Sequence, residues 1–104
     1  MEAKRNEPSV ITDALRRAHP EERPALLAQF IENEVMKILE WPEARRPDVE
    51  RAFVEIGLDS LTAVNLQYRL QTALDFVALS PDDFRQPSAG ELAEYLLKNR
   101  IKIV

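Results

Sequence analysis

Apolar residues recur along this chain mostly at three- and four-residue spacing rather than in alternation, which predicts helices and argues against strands. Behind Pro8, the residues Val10, Ile11, Ala14, Leu15 and Ala18 fall on one helical face, with Ser9 placed to cap the first turn and His19-Pro20 to end it. Pro24 opens a longer helix whose Leu27, Phe30, Ile31, Val35, Ile38 and Leu39 make a broad apolar stripe, and Trp41-Pro42 stops it. Residues 43–56 carry Pro47 and many charges around few apolar anchors, so they read as a long loop pinned by Phe53. A second strong helix runs from Ser60 to about Leu74. Ser80-Pro81-Asp82-Asp83 has the order of cap, first-position proline and early acids, which predicts one short extra helix. The last helix begins at Ser88, where Ser88 and Glu91 have capping-box spacing, and Lys98 and Arg100 suit its negative end. The expected fold class is all-α: three main helices and a short fourth in a small bundle, with an extra N-terminal helix. Residues 1–23 are expected to be a linker and residues 24–104 the domain proper.

The helix from Ser60 has two apolar faces. Ala63, Leu66, Leu70, Ala73 and Leu74 cluster on one side and account for packing against the other helices. Leu61, Val64 and Tyr68 form a second stripe at i, i+3 and i+7 on roughly the opposite side, where three main helices have little left to cover it. Such a stripe is either a contact surface or is covered by the loop 43–56. At the helix start stands Gly57-Leu58-Asp59-Ser60-Leu61: Gly57 can take the positive φ of a sharp turn, and Asp59 or Ser60 can cap the first turn. A phosphate on the Ser60 hydroxyl would meet the positive end of the helix dipole and its unpaired amides.

Composition narrows the chemistry. A length of 104 residues suits one small core. The net charge of −4, from 18 acidic and 14 basic residues, argues against a nucleic-acid surface. The absence of cysteine excludes disulfides, thiolate metal sites and a cysteine nucleophile. No apolar run is long enough to span a membrane and no leader pattern precedes the first helix, so the expectation is a soluble, cytoplasmic protein. No metal site is expected: Asp82 and Asp83 read as helix-start acids, and Glu32 and Glu34 as surface charges. Arg45, Arg46 and Arg51 interleave with Glu43, Asp48 and Glu50 as a solvated mixed-charge surface.

The run Phe53-Val54-Glu55-Ile56-Gly57-Leu58-Asp59-Ser60-Leu61-Thr62-Ala63-Val64 resembles the modification-site region of polyketide-synthase acyl carrier domains. Phe84-Arg85-Gln86-Pro87-Ser88 is similar to that family's Phe-Asp-x-Pro-Thr before the last helix, and the resemblance extends over residues 26–98. It implies that Ser60 carries 4'-phosphopantetheine, installed by a phosphopantetheinyl transferase, and that Asp59, Leu61, Val64 and Tyr68 form the surface read by ketosynthase, acyltransferase and tailoring domains. It also implies a non-catalytic carrier. The sequence leaves the oligomeric state open, and a monomer is the default expectation for the isolated domain. Two departures stand out. Where the family usually has Glu and then Leu-Arg-x-Arg-Leu, this chain reads Asn65-Leu66-Gln67-Tyr68-Arg69-Leu70, so one acidic and one basic contact are missing. The family's apolar stretch before Phe84 is replaced by Ala78-Leu79-Ser80-Pro81-Asp82-Asp83.

Rival readings carry less. Peptidyl carrier domains typically have Gly-Gly where this chain has Gly57-Leu58. A serine hydrolase needs a base beside its nucleophile, and the only histidine, His19, lies in the linker next to Pro20. An unmodified helical interaction module remains open, and so does the docking site of the N-terminal stripe, on this bundle or on a neighbouring domain.

Overall fold

The chain's computed structural model describes residues 9–40, 53, 57–74 and 78–101. Among the described residues, four α-helices carry the fold: α1 (Ser9–Arg17), α2 (Arg23–Leu39), α3 (Ser60–Ala73) and α4 (Ala89–Asn99). Two short 3₁₀ turns in the same residues, Pro20–Glu22 and Pro81–Arg85, precede α2 and α4. The all-α bundle expected from the periodicity is present, and the short extra element at residues 81–85 is a 3₁₀ turn rather than a turn of α-helix.

Local chemistry sets the helix ends. Proline occupies the first turn of α2, where its missing N–H costs nothing. The helix closes at Glu40, which takes a left-handed conformation (φ 57°) and donates its N–H to Lys37 O. Trp41 and Pro42, expected to stop this helix, lie outside the described residues, as do residues 43–52 of the expected loop. The α4 start is capped as its spacing predicts, with Ser88 Oγ accepting from the Glu91 N–H at 3.3 Å.

All four helices feed one core. Leu15 of α1, Leu27 and Ile31 of α2, Leu66 and Leu70 of α3, and Leu92 and Leu96 of α4 are each 0% exposed. Helix α2 packs chiefly on α4, with α3 and α1 against it and α1 also touching α3. The N-terminal stripe therefore docks on this bundle: Ile11 and Leu15 join the same apolar cluster as the later helices. Arg23 strengthens the junction, its Nε donating to Leu15 O at 2.7 Å in the last turn of α1. Phe53, the expected loop anchor, is buried in this core and donates its N–H to Pro87 O at 2.7 Å.

Two carboxylates expected at the surface, and one read as a helix-start acid, are inside. Glu32 and Glu34 on α2 are buried, and Asp83 in the second 3₁₀ turn is 0% exposed. Glu34 has a cross-helix reason, since Arg69 of α3 reaches its Oε1 at 2.9 Å while Lys37 lies 3.3 Å from Oε2. Asp83 is held by α4: Tyr95 Oη donates to Oδ1 at 2.8 Å, and Arg100 Nε lies 3.0 and 3.1 Å from the two oxygens. Burial pushes this carboxyl up, but the Ser80 N–H, Arg100 and Tyr95 outweigh it and hold the group below its ordinary value.

Candidate functional site

Gly57 makes the turn before α3 with φ 97°, a conformation that a side chain strains to adopt, and the Leu58 N–H donates back across it to Phe53 O at 3.0 Å. The next residue, Asp59, is extended and caps α3. Its Oδ1 accepts from the Thr62 N–H at 3.0 Å, and its own N–H donates to Thr62 Oγ1 at 2.8 Å. This reciprocal pair is a capping box built from Asp and Thr. The Thr62 N–H, followed by the Thr62 hydroxyl, holds the Asp59 carboxyl below its ordinary value.

The choice between Asp59 and Ser60 as cap is settled by this geometry, and it has a chemical consequence. Ser60 is the first residue of α3, exposed, and among the described residues its hydroxyl makes no hydrogen bond. Among the described residues, a hydroxyl oxygen therefore stands at a helix N-terminus without a hydrogen-bond partner. The geometry also corrects one expectation. The Thr62 amide is already taken by the Asp59 carboxylate, so it is not free for a phosphate on Ser60.

Beside Ser60 lies a partly open groove of about 430 Å³ between α3 and the Pro81–Arg85 turn. Leu58, Ala63, Val64 and Phe84 give it apolar walls, Gln67 and Gln86 add polar groups, and Ser60 and Asp59 stand at its edge. Gln67 also fixes the backbone leading into the turn, its Nε2 donating to Leu79 O at 3.1 Å. The serine hydroxyl is open to a group donor from solvent, and the groove beside it offers apolar walls along which an attached chain can lie. Among the described residues no group of three or more His, Cys, Asp or Glu side chains is placed to hold a metal ion, and no helix is long and apolar enough to cross a membrane.

The second stripe of α3 is open to solvent. Leu61 is 77% exposed, Val64 43% and Tyr68 62%. The structure thus brings Asp59, Ser60, Leu61 and Val64 to one end of α3, with Tyr68 one turn beyond Val64 on the same side. His19 is exposed on the approach to α2. Sequence reasoning missed Thr62, although Asp and Thr at cap and third position are a recognisable box, and it missed the groove, which needs the 3₁₀ turn folded beside α3.

Comparison with known proteins bears directly on this site. The family model described as "Phosphopantetheine attachment site" matches residues 29–96. Pikromycin polyketide synthase component PikAII of Streptomyces venezuelae is 40% identical over 78 residues, covering 75% of this chain and 2% of the relative. Erythronolide synthase EryA2 of Saccharopolyspora erythraea is 34% identical over 77 residues, 74% of this chain and 2% of that protein. The chain thus spans a small fraction of the length of these curated relatives. Among solved structures, an A1-type ACP domain from module 5 of MLSA1 superposes with a TM-score of 0.77 at 28% identity, covering 91% of this chain and 94% of the other. Members of this family carry covalently attached 4'-phosphopantetheine. With the family model matched over residues 29–96, more than half of the sequence, and its helical bundle in common, this chain belongs to the phosphopantetheine-attachment family, as an acyl carrier domain of the polyketide-synthase kind.

Proposed function

We propose that Ser60 is the attachment residue for 4'-phosphopantetheine and that this domain, without catalysing a step itself, presents acyl intermediates to the catalytic domains of a cytoplasmic polyketide synthase. The observation that carries this reading is the division of labour at the start of α3, where Asp59 holds the helix and leaves the Ser60 hydroxyl exposed and uncommitted. The attached arm supplies a terminal thiol on which acyl groups ride as thioesters. The protein's own residues do the rest. Gly57 and the Asp59–Thr62 box fix the backbone from which the serine projects. Leu61, Val64 and Tyr68 offer partners an apolar strip that is already solvent-exposed, so docking buries apolar area without first unfolding anything. We assign Asp59 a second role, as the charge that a basic patch on the transferase and on ketosynthase, acyltransferase or tailoring domains reads. The carrier unit is taken to act as a monomer, with residues 24–104 as its family-like part and α1 as an N-terminal addition packed on it.

The test is the intact mass of the protein after incubation with coenzyme A, magnesium and a broad-specificity phosphopantetheinyl transferase, with Ser60→Ala in parallel. The expected result is one added phosphopantetheine in the parent and none in the variant. A folded parent that gains nothing overturns the carrier reading and leaves an unmodified interaction module.

A further inference from the structure

Asp83 is a fully buried carboxylate that the carrier reading does not use. It stands where the chain departs from the apolar pattern of its family, inside a turn of only five residues, Pro81–Arg85. A 3₁₀ turn this short has little stability of its own. Its backbone is also broken at Phe84, which leaves the helical region at φ −98° and ψ 23°.

Three hydrogen-bond donors and an ion-pair contact converge on Asp83. The Ser80 N–H reaches Oδ2 at 2.9 Å, which fastens the turn to itself. Tyr95 Oη, 2.8 Å from Oδ1, and the Arg100 Nε and Nη2, at 3.0 Å from the same oxygen, fasten it to the far half of α4. A buried carboxylate is tolerated only while such partners are in place, so these bonds hold or fail together. Hydrogen bonding to Asp83 is likewise the main cause raising Tyr95 and Arg100 above their ordinary values. The flanking residues Pro81 and Phe84 line the groove at whose edge Ser60 stands.

We infer that Asp83 is a positioning residue: it clips the Pro81–Arg85 wall to α4 and thereby sets the width of the groove beside Ser60. Acting through Pro81 and Phe84, it makes the C-terminal end of α4 a mechanical part of the modification site. The Arg100 side chain, 41% exposed, is the outer end of the clip. The part of this inference that concerns the attached arm rests on Ser60 being its site; the clip itself does not.

The experiment therefore has two arms. In the first, hydrogen exchange is measured on the unmodified chain, comparing the parent with Asp83→Asn and Tyr95→Phe. The Ser80 amide, bonded directly to Asp83, and the Arg100 amide at the end of α4 are expected to exchange at least about tenfold faster in Asp83→Asn, while amides around Ile31 and Leu70 hold their rates. Tyr95→Phe, which removes one hydrogen-bond donor of three, is expected to give a smaller change at the same amides. Uniform acceleration across the chain, or none, overturns the clip. In the second arm a solvatochromic pantetheine is loaded onto Ser60 from the corresponding coenzyme A derivative. Its emission is expected to shift to the red in Asp83→Asn and to stay put in Leu27→Ala, a core variant that lowers stability away from the groove. An unchanged emission in Asp83→Asn overturns the control of the groove, as does an equal shift in Leu27→Ala. Failure of Ser60 to load counts against the carrier reading, and the exchange arm then decides the clip alone.

Discussion

Replacing Leu15 by alanine asks whether α1 belongs to the cooperative core. The side chain is 0% exposed and sits in the same cluster as Leu27, Leu66 and Leu96. Removing three carbons at about 0.8 kcal/mol per buried methylene gives a transfer loss of about 2.4 kcal/mol. A cavity contribution adds to this, but α1 meets the bundle with one face, against α2 and α3, so it can settle into the space and keep the total near the low end of the Leu→Ala range, about 2.5–3.5 kcal/mol. For a chain of 104 residues that is a fall in melting temperature of roughly 10–20 °C. The assay is urea unfolding followed by far-ultraviolet circular dichroism, with Ile11→Ala and the double variant alongside. If α1 stays docked, the second substitution costs further stability, with a coupling of about 0.5–3 kcal/mol expected for neighbours one helical turn apart in the same cluster; if the first substitution releases the helix, the second is silent. A loss below about 0.5 kcal/mol for Leu15→Ala, the size of a surface substitution, refutes the placement of α1 in the core.

Two further outcomes follow from the same geometry. Gly57→Ala meets open space at the new Cβ but keeps φ at 97°, so it is expected to cost about 1–2 kcal/mol through backbone strain alone; a chemical-denaturation series that finds no loss contradicts a positive φ there. The stability that Asp83 confers should depend on pH with a definite sign. Its carboxyl lies below the ordinary 3.8 in the folded state, so its contribution is fully present above 3.8 and is lost as pH falls through the lower folded value. The difference between the parent and Asp83→Asn, measured by denaturant midpoints across a pH series, is expected to be constant near neutrality and to close well below 3.8. A difference that persists unchanged into strong acid contradicts the ion pair with Arg100.

The parts of this fold that the sequence discloses are those fixed by local period and local chemistry. Leu66, Leu70 and Leu74 declare the inner face of α3, Leu61, Val64 and Tyr68 the outer one, and Ser88 with Glu91 the start of α4, because each pattern fits within a few turns of helix. The parts that stay hidden depend on residues far apart. Asp83 reads as an ordinary helix-start acid until Tyr95 and Arg100 arrive from 12 and 17 residues away. Glu34 reads as a surface charge until Arg69 crosses from α3, 35 residues on. The stripe of α1 shows that it packs on something and not on what, since an amphipathic face carries no address. The candidate site divides the same way: Gly57 through Leu61 mark it in a row, whereas the groove is made from elements that meet only in the folded chain.

Which of two adjacent polar residues caps α3 decides whether the other is chemically available, and this can be tested at Asp59. Aspartate and serine are both strong caps, so a chain with Ser60 as its helix cap would tie up the very oxygen that is to be modified. In this structure Asp59 caps and Ser60 begins the helix. Asp59→Ala removes the competing acceptor and invites the Ser60 hydroxyl to take the vacant amides, so transferase loading of Ser60 is expected to slow severalfold. Asp59→Asn keeps a capping oxygen while removing the charge. If loading falls in Asp59→Ala and recovers in Asp59→Asn, the freedom of the Ser60 hydroxyl limits the reaction. If both variants fall alike, the charge is what the transferase reads, and at high ionic strength the parent should then slow toward the variants. If neither falls, capping by Asp59 does not govern access to Ser60, and the division of labour proposed for the start of α3 is wrong.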